Sequence, residues 1–269
     1  MGTHPWGVAF DGANIWVTNG SNVTKLRTSD GTVLGTFNVG SQPWGIAFDG
    51  ANIWVTSYIS NNVTKLRASD GTVLGTFSVV AGPLGVAFDG ANIWMANYGS
   101  AKVTKLRASD GALQDTYAVG GYPCAVAFDG ANIWVANSTS SGNVTKLRAS
   151  DGELQGTYAV GSYPCAVAFD GANIWVANVS DRTVTKLRAS DGTLLLGTPV
   201  PLGGAPVGLA FDGANIWVTN DTTNSVTKLR ASDGALLGTY AVGTEPVGVA
   251  FDGANIWVTL YGTGAVRKM

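Results

Sequence analysis

Phe10-Asp11-Gly12-Ala13-Asn14-Ile15-Trp16-Val17 is the stretch whose reading decides the fold. It returns nearly letter for letter at Phe48, Phe88, Phe128, Phe169, Phe211 and Phe251, seven copies in all. Two hydrophobic runs flank a polar turn built on Asp-Gly. That is the pattern of a β-hairpin, because the glycine supplies the positive φ a tight reversal needs.

Working outward, a proline precedes every hairpin: Pro5, Pro43, Pro83, Pro123, Pro164, Pro206 and Pro246, at intervals of 38 to 42 residues. A unit of about 40 residues suits either a helical repeat or a four-stranded blade. Helix is excluded by the absence of a 3.6-residue apolar period and by a turn pair every ten residues or so. Each unit divides into four short strand candidates, in the second unit Gly45–Phe48, Asn52–Thr56, Asn62–Ala68 and Val73–Val79. The expected fold is therefore all-β: a seven-bladed β-propeller of four-stranded repeats occupying residues 1–269 as a single domain. A β-solenoid is the alternative. The chain stops at Val266-Arg267-Lys268-Met269, inside a third strand, so the last blade is expected to lack its outermost strand. Nothing at the N-terminus replaces it, which suggests an excised segment or a shortened gene product. The resulting open edge is a candidate for self-association.

Within a unit, the first strand should line the central channel. Its small residues (Gly7, Gly45, Gly85, Ala125, Ala166, Gly208 and Gly248) suit strands converging on an axis. The second-strand tryptophans are expected to fill the space between blades. The third strands carry Lys/Arg pairs, expected to be solvated or to form ion pairs between blades.

The units match the blade signature of the YVTN/NHL-type bacterial propellers in Val17-Thr18-Asn19, Asn22-Val23-Thr24-Lys25-Leu26 and Val39-Gly40-Ser41-Gln42-Pro43-Trp44-Gly45-Ile46-Ala47, which this chain resembles over all seven units. The resemblance implies a propeller and leans toward a bacterial secreted or cell-surface location; it specifies a blade and no reaction. The broader population includes virginiamycin B lyases, which use a histidine-containing, magnesium-assisted site. This chain's only histidine is His4, so that activity does not carry over.

Composition narrows the function classes. The net charge is −2, charged residues make up 13%, and no basic run offers a footprint for nucleic acid or an anionic membrane surface. No stretch reaches the roughly 18 apolar residues of a membrane span. Met1-Gly2-Thr3-His4-Pro5 lacks the pattern of a signal peptide. No cofactor is expected.

The units differ mainly in the loops between second and third strands and in the connections between blades, with one further insertion at Leu195–Leu202. Strand alternation places both kinds of loop on one face, opposite the ring of Asp-Gly turns. On that face the residue after each proline, Trp6, Trp44, Leu84, Cys124, Cys165, Val207 or Val247, should ring the channel mouth, with Tyr58, Tyr98, Asp221 and Tyr261 in the loops beside them. These eleven are the candidate binding residues. His4 and Glu245 hold equivalent positions in blades that become neighbours on ring closure. They are candidates for a pH-sensitive pair, or for half of a metal site if Asp221 reached them. Cys124 and Cys165 lie on adjacent channel strands too far apart for a disulfide and are expected to be buried small hydrophobes. The leading expectation is a non-enzymatic scaffold binding a protein, peptide or small ligand on the variable face. A lyase- or lactonase-like enzyme at the mouth, a multivalent lectin, and a recently amplified repeat without a specific ligand remain alternatives.

Overall fold

The computed structural model describes residues 2–195 and 199–269. It is a seven-bladed β-propeller, with six sheets of four antiparallel strands and a last sheet of three. In every sheet the strands follow chain order from the channel outward. Blade two consists of Pro43–Phe48, Asn52–Ser57, Asn62–Arg67 and Val73–Ser78. Blade seven ends with its third strand, Ala265–Lys268. In blade five the outermost strand shrinks to Val200–Pro201. The insertion expected at Leu195–Leu202 lies in part outside the described residues.

The opening motif behaves as one unit. Gly50 takes φ 95°, which an L side chain avoids. Asp49 caps the turn, accepting from the backbone N–H groups of Ala51 and Asn52. It also accepts from the indole N–H of Trp54, so a fully buried tryptophan keeps a polar partner. This Trp-to-Asp bond recurs in all seven blades at 2.7–2.8 Å. Trp217, facing the three-stranded blade, is the one motif tryptophan left partly exposed.

The core lies between blades. Trp16 and Val23 of the first blade pack with Ile53, Val55 and Leu66 of the second. The same arrangement closes the ring, where Trp257 packs on Ile15, Val17 and Leu26.

The third-strand charges do something other than expected. Lys65 is buried, and its ammonium donates to the carbonyls of Ala108 and Ser109 in the next blade at 2.7 and 3.0 Å. The same ammonium lies 5.2 Å from the centroid of the Trp54 ring. Acceptors in the neighbouring blade are thus backbone oxygens and not carboxylates, so no ion pair joins the blades there. The arginines instead pair within their own turn, as Arg67 does with Asp70 at 2.9 Å, both half exposed.

First strands begin two residues earlier than expected, at the proline, because a bulge separates Pro43 from Ile46. At the bulge the Gly45 N–H donates to the Thr56 hydroxyl, which in turn donates to the Leu84 carbonyl of the next blade at 2.6 Å. A Cβ on Gly45 would come within 2.2 Å of that carbonyl. Small residues are therefore required by the seam between blades as well as by the channel they line.

Candidate functional site

Three positions per blade build the channel mouth. The first is the residue after the proline, raised on the bulged start of the inner strand. The second is the residue before the proline, which is left-handed at His4, Gln42, Tyr122, Tyr163 and Glu245 (φ 52–56°) and at Gly82. The third is the residue after the second strand, tied by its N–H to the carbonyl of the second. Such bonds join Tyr58 to Gln42, Tyr98 to Gly82, Asp221 to Ala205 and Tyr261 to Glu245, each at 2.9 Å. In blades six and seven this loop forms a single 3-10 turn, Asp221–Thr223 and Tyr261–Thr263, where no helical turn is expected from sequence. Left-handed Asn224 and Gly264 end those turns.

Nine of the eleven candidate residues come together. Trp6, Trp44, Leu84, Cys124, Cys165, Val207, Asp221, Val247 and Tyr261 line one cavity of about 370 Å³, and Glu245 joins them. Tyr58 and Tyr98 line an adjoining cavity of about 400 Å³ with Gln42, Trp44, Leu84 and Cys124. Below the mouth the channel narrows to about 200 Å³ between the inner strands.

The mouth is lopsided. Trp6 and Trp44 stack with centroids 3.8 Å apart and planes 23° from parallel, and Trp6 meets Tyr261 at 4.8 Å. Across the ring, Tyr98 packs against Tyr122 at 5.1 Å. Burial pushes the Tyr98 hydroxyl above the usual tyrosine range, with the neighbouring Tyr58 and Cys124 adding to it. Tyr122 and Tyr163, both exposed, are rim residues that sequence reasoning missed. The signal that would have found them is their place immediately before a proline.

His4 does not join Glu245. Its ring rests on Tyr261 at 4.6 Å and lines a side cavity with Gly20 and Gln42, whereas Glu245 and Asp221 line the central one. Among the described residues no three His, Cys, Asp or Glu side chains gather where they would hold a metal.

Both cysteines are free thiols and only half buried. Each donates to a carbonyl of the next blade, Cys124 to Pro164 at 3.0 Å and Cys165 to Pro206 at 3.3 Å. They thus act as hydrogen-bonding links as well as small apolar groups. Burial pushes the Cys124 thiol up to about 12 and the Cys165 thiol well above the ordinary value. Neither is a thiolate near neutral pH.

No family model matches the chain, and no curated protein matches it in sequence. Its similarity is to solved structures. It resembles hydrazine synthase from Kuenenia stuttgartiensis with a TM-score of 0.89 and 18% identity, covering 99% of this chain and 95% of that one. A catalytically inactive variant of virginiamycin B lyase from Staphylococcus aureus with quinupristin matches with a TM-score of 0.84 and 17% identity, over 99% and 94% of the two chains. The Swd1 β-propeller domain from Myceliophteria thermophila matches with a TM-score of 0.80 and 12% identity, over 100% and 98%. Identities this low establish the seven-bladed propeller alone, and a fold shared by enzymes and other propellers does not choose a function.

Proposed function

We propose that this propeller is a non-enzymatic scaffold that binds one ligand, a small molecule or a side chain of a peptide or protein, at the channel mouth. The observation that carries the reading is convergence: side chains from all seven blades, at positions where the repeats differ most, line one cavity of about 370 Å³. That volume falls within the usual range for small-ligand sites. A rigid ring of repeats presenting variable loops is a common arrangement for recognition. The repeat signature resembles that of YVTN/NHL-type propellers and specifies a blade, naming neither a reaction nor a ligand. Support for a non-enzymatic role comes from the side chains themselves. The thiols at the mouth are held protonated, and the His4 ring rests on Tyr261 and lines a side cavity rather than the central one.

The test is a ligand-library thermal-shift screen on the intact chain, repeated with Trp6→Leu and Trp44→Leu combined. Ligands that stabilise the parent and not the variant support the mouth as the site. Ligands that stabilise both equally defeat the reading.

A further inference from the structure

We infer that the mouth takes an organic cation of the ammonium type. This rests on the mouth being the binding site and adds the chemical class of what enters it. Charge is the first argument. Among the described residues, the charged side chains lining the central cavity are Asp221 and Glu245, with no lysine or arginine. Among the described residues neither carboxylate forms a salt bridge. Both stand where the backbone puts them: Asp221 through its N–H to the Ala205 carbonyl, Glu245 in a left-handed conformation at φ 53°. Nothing among the described residues neutralises their negative charge, and both border the same space.

The second argument is the aromatic wall. Tyr261 follows the second strand of blade seven, Glu245 precedes that blade, and Trp6 belongs to the next blade around the ring. The Trp6, Trp44 and Tyr261 rings line the cavity beside the carboxylates. Trp6 and Trp44 stack on each other, so each keeps at most one face for a ligand. An open aromatic face attracts a cation that has shed part of its water. The rest of the lining, Leu84, Val207, Val247 and two protonated thiols, is apolar and accepts carbon substituents on the nitrogen.

Other ligand classes fit worse. An anion would meet two carboxylates and no countercharge. Calcium or magnesium wants six or more oxygen ligands, which two carboxylates over an apolar floor do not supply. Among the described residues no three His, Cys, Asp or Glu side chains gather for zinc. A sugar needs donors and acceptors around its whole rim, and here polar side chains stand on one side only.

The experiment is calorimetric titration of the intact chain with three probes of one shape. They are choline, its uncharged carbon counterpart tert-butylethanol, and the carboxylate of tert-butylacetic acid. Choline is expected to bind about tenfold more tightly than tert-butylethanol, from the ring faces and the carboxylates together. The carboxylate is expected to bind most weakly. Asp221→Asn combined with Glu245→Gln should erase most of that preference, weakening choline far more than tert-butylethanol; both residues are at the surface, so folding should survive. Equal binding of choline and tert-butylethanol, tighter binding of the carboxylate, no binding by any probe, or a preference that survives the double substitution would each overturn the cation inference. The underlying reading fails separately, when library ligands keep their affinity in the Trp6→Leu, Trp44→Leu variant.

Discussion

Thr259 of the last blade donates its hydroxyl to the carbonyl of Trp6 in the first at 2.7 Å, across 253 positions of sequence. The same hydroxyl accepts from the Gly248 N–H at 2.7 Å. The pair repeats at the seam between blades two and three, where Thr56 joins Gly45 to the Leu84 carbonyl. The ring thus closes with the bond that joins its interior seams, and it does so beside the mouth, at the residue that begins the aromatic wall.

Thr259→Val keeps the shape and removes both hydrogen bonds, leaving a half-buried donor and a half-buried inter-blade carbonyl without partners. A loss of about 1–3 kcal/mol is expected. Thr56→Val, in the same geometry, should cost a similar amount. Urea unfolding should show lower midpoints with unchanged slopes. A neutral Thr259→Val would mean that the closing seam does not depend on this bond.

The lysine and arginine of each third strand should separate cleanly. Lys65→Met keeps the stem over Trp54 but abandons the Ala108 and Ser109 carbonyls, at an expected cost of about 2 kcal/mol. Arg67→Ala removes an exposed ion pair within a turn and should cost less than about 0.5 kcal/mol. Guanidinium denaturation of the two variants checks the ranking. Equal losses would return the lysine to the role of a solvated charge.

This contrast marks what the sequence could show. Strand order, blade count, the three-stranded last blade and the convergence of nine of the eleven chosen residues on one cavity were legible, because each follows from the hairpin motif, the proline spacing and the alternation of strand direction. The lysine's partners were not, since they are backbone oxygens 43 and 44 residues away and leave no mark in side-chain identity. The 3-10 turns that place Asp221 and Tyr261 were equally hidden, since they depend on left-handed Asn224 and Gly264 within loops that carry no period. The separation of His4 from Glu245 could not be foreseen either. Both residues hold equivalent positions beside adjacent blades, and only packing shows Tyr261 taking the histidine.

Acid should loosen the hairpin turns. Burial pushes the Asp49 carboxyl up, but hydrogen bonds from Trp54, Ala51 and Asn52 outweigh it and hold the group below its usual value. The exposed turn carboxyls of Asp70 and Asp191 are held down to about 2, mainly by the backbone N–H groups of Thr72 and Thr193. A carboxyl depressed in the folded state contributes fully above its unfolded value, near 3.9, and its contribution is lost as pH falls through the folded value. The melting temperature should therefore hold from neutrality to about pH 4 and fall between about 4 and 2. Asp49→Asn should cost about 1 kcal/mol at neutral pH and narrow its gap to the parent in acid. A gap that widens in acid would reverse the sign and refute the assignment.

Gly45→Ala should be strongly destabilising alone and largely rescued by Thr56→Ala. The added methyl would meet the Leu84 carbonyl at 2.2 Å and the Thr56 hydroxyl at 3.0 Å. Blades four and five already carry alanine at both places, Ala125 opposite Ala136 and Ala166 opposite Ala177. There the link to the next blade comes from Cys124 and Cys165 instead. Freed of the threonine bond, the seam can adopt that spacing. A double-mutant cycle should give a coupling of about 1 kcal/mol or more in the favourable direction. Additive losses would show that the seam cannot shift.

The cysteines decide whether covalent chemistry at the mouth is available. With Cys124 pushed up to about 12 by burial, its thiolate fraction at pH 8 is roughly a thousandfold below that of an ordinary cysteine. Iodoacetamide should therefore label Cys124 slowly in a Cys165→Ala background, and the rate should climb past pH 10 without a plateau. The thiol lies in an open cavity and is only half buried, so simple exclusion of the reagent does not account for slow labelling. Rapid alkylation near neutral pH would mean that the site stabilises a thiolate. It would also favour nucleophilic catalysis at the mouth over the binding role we propose for it.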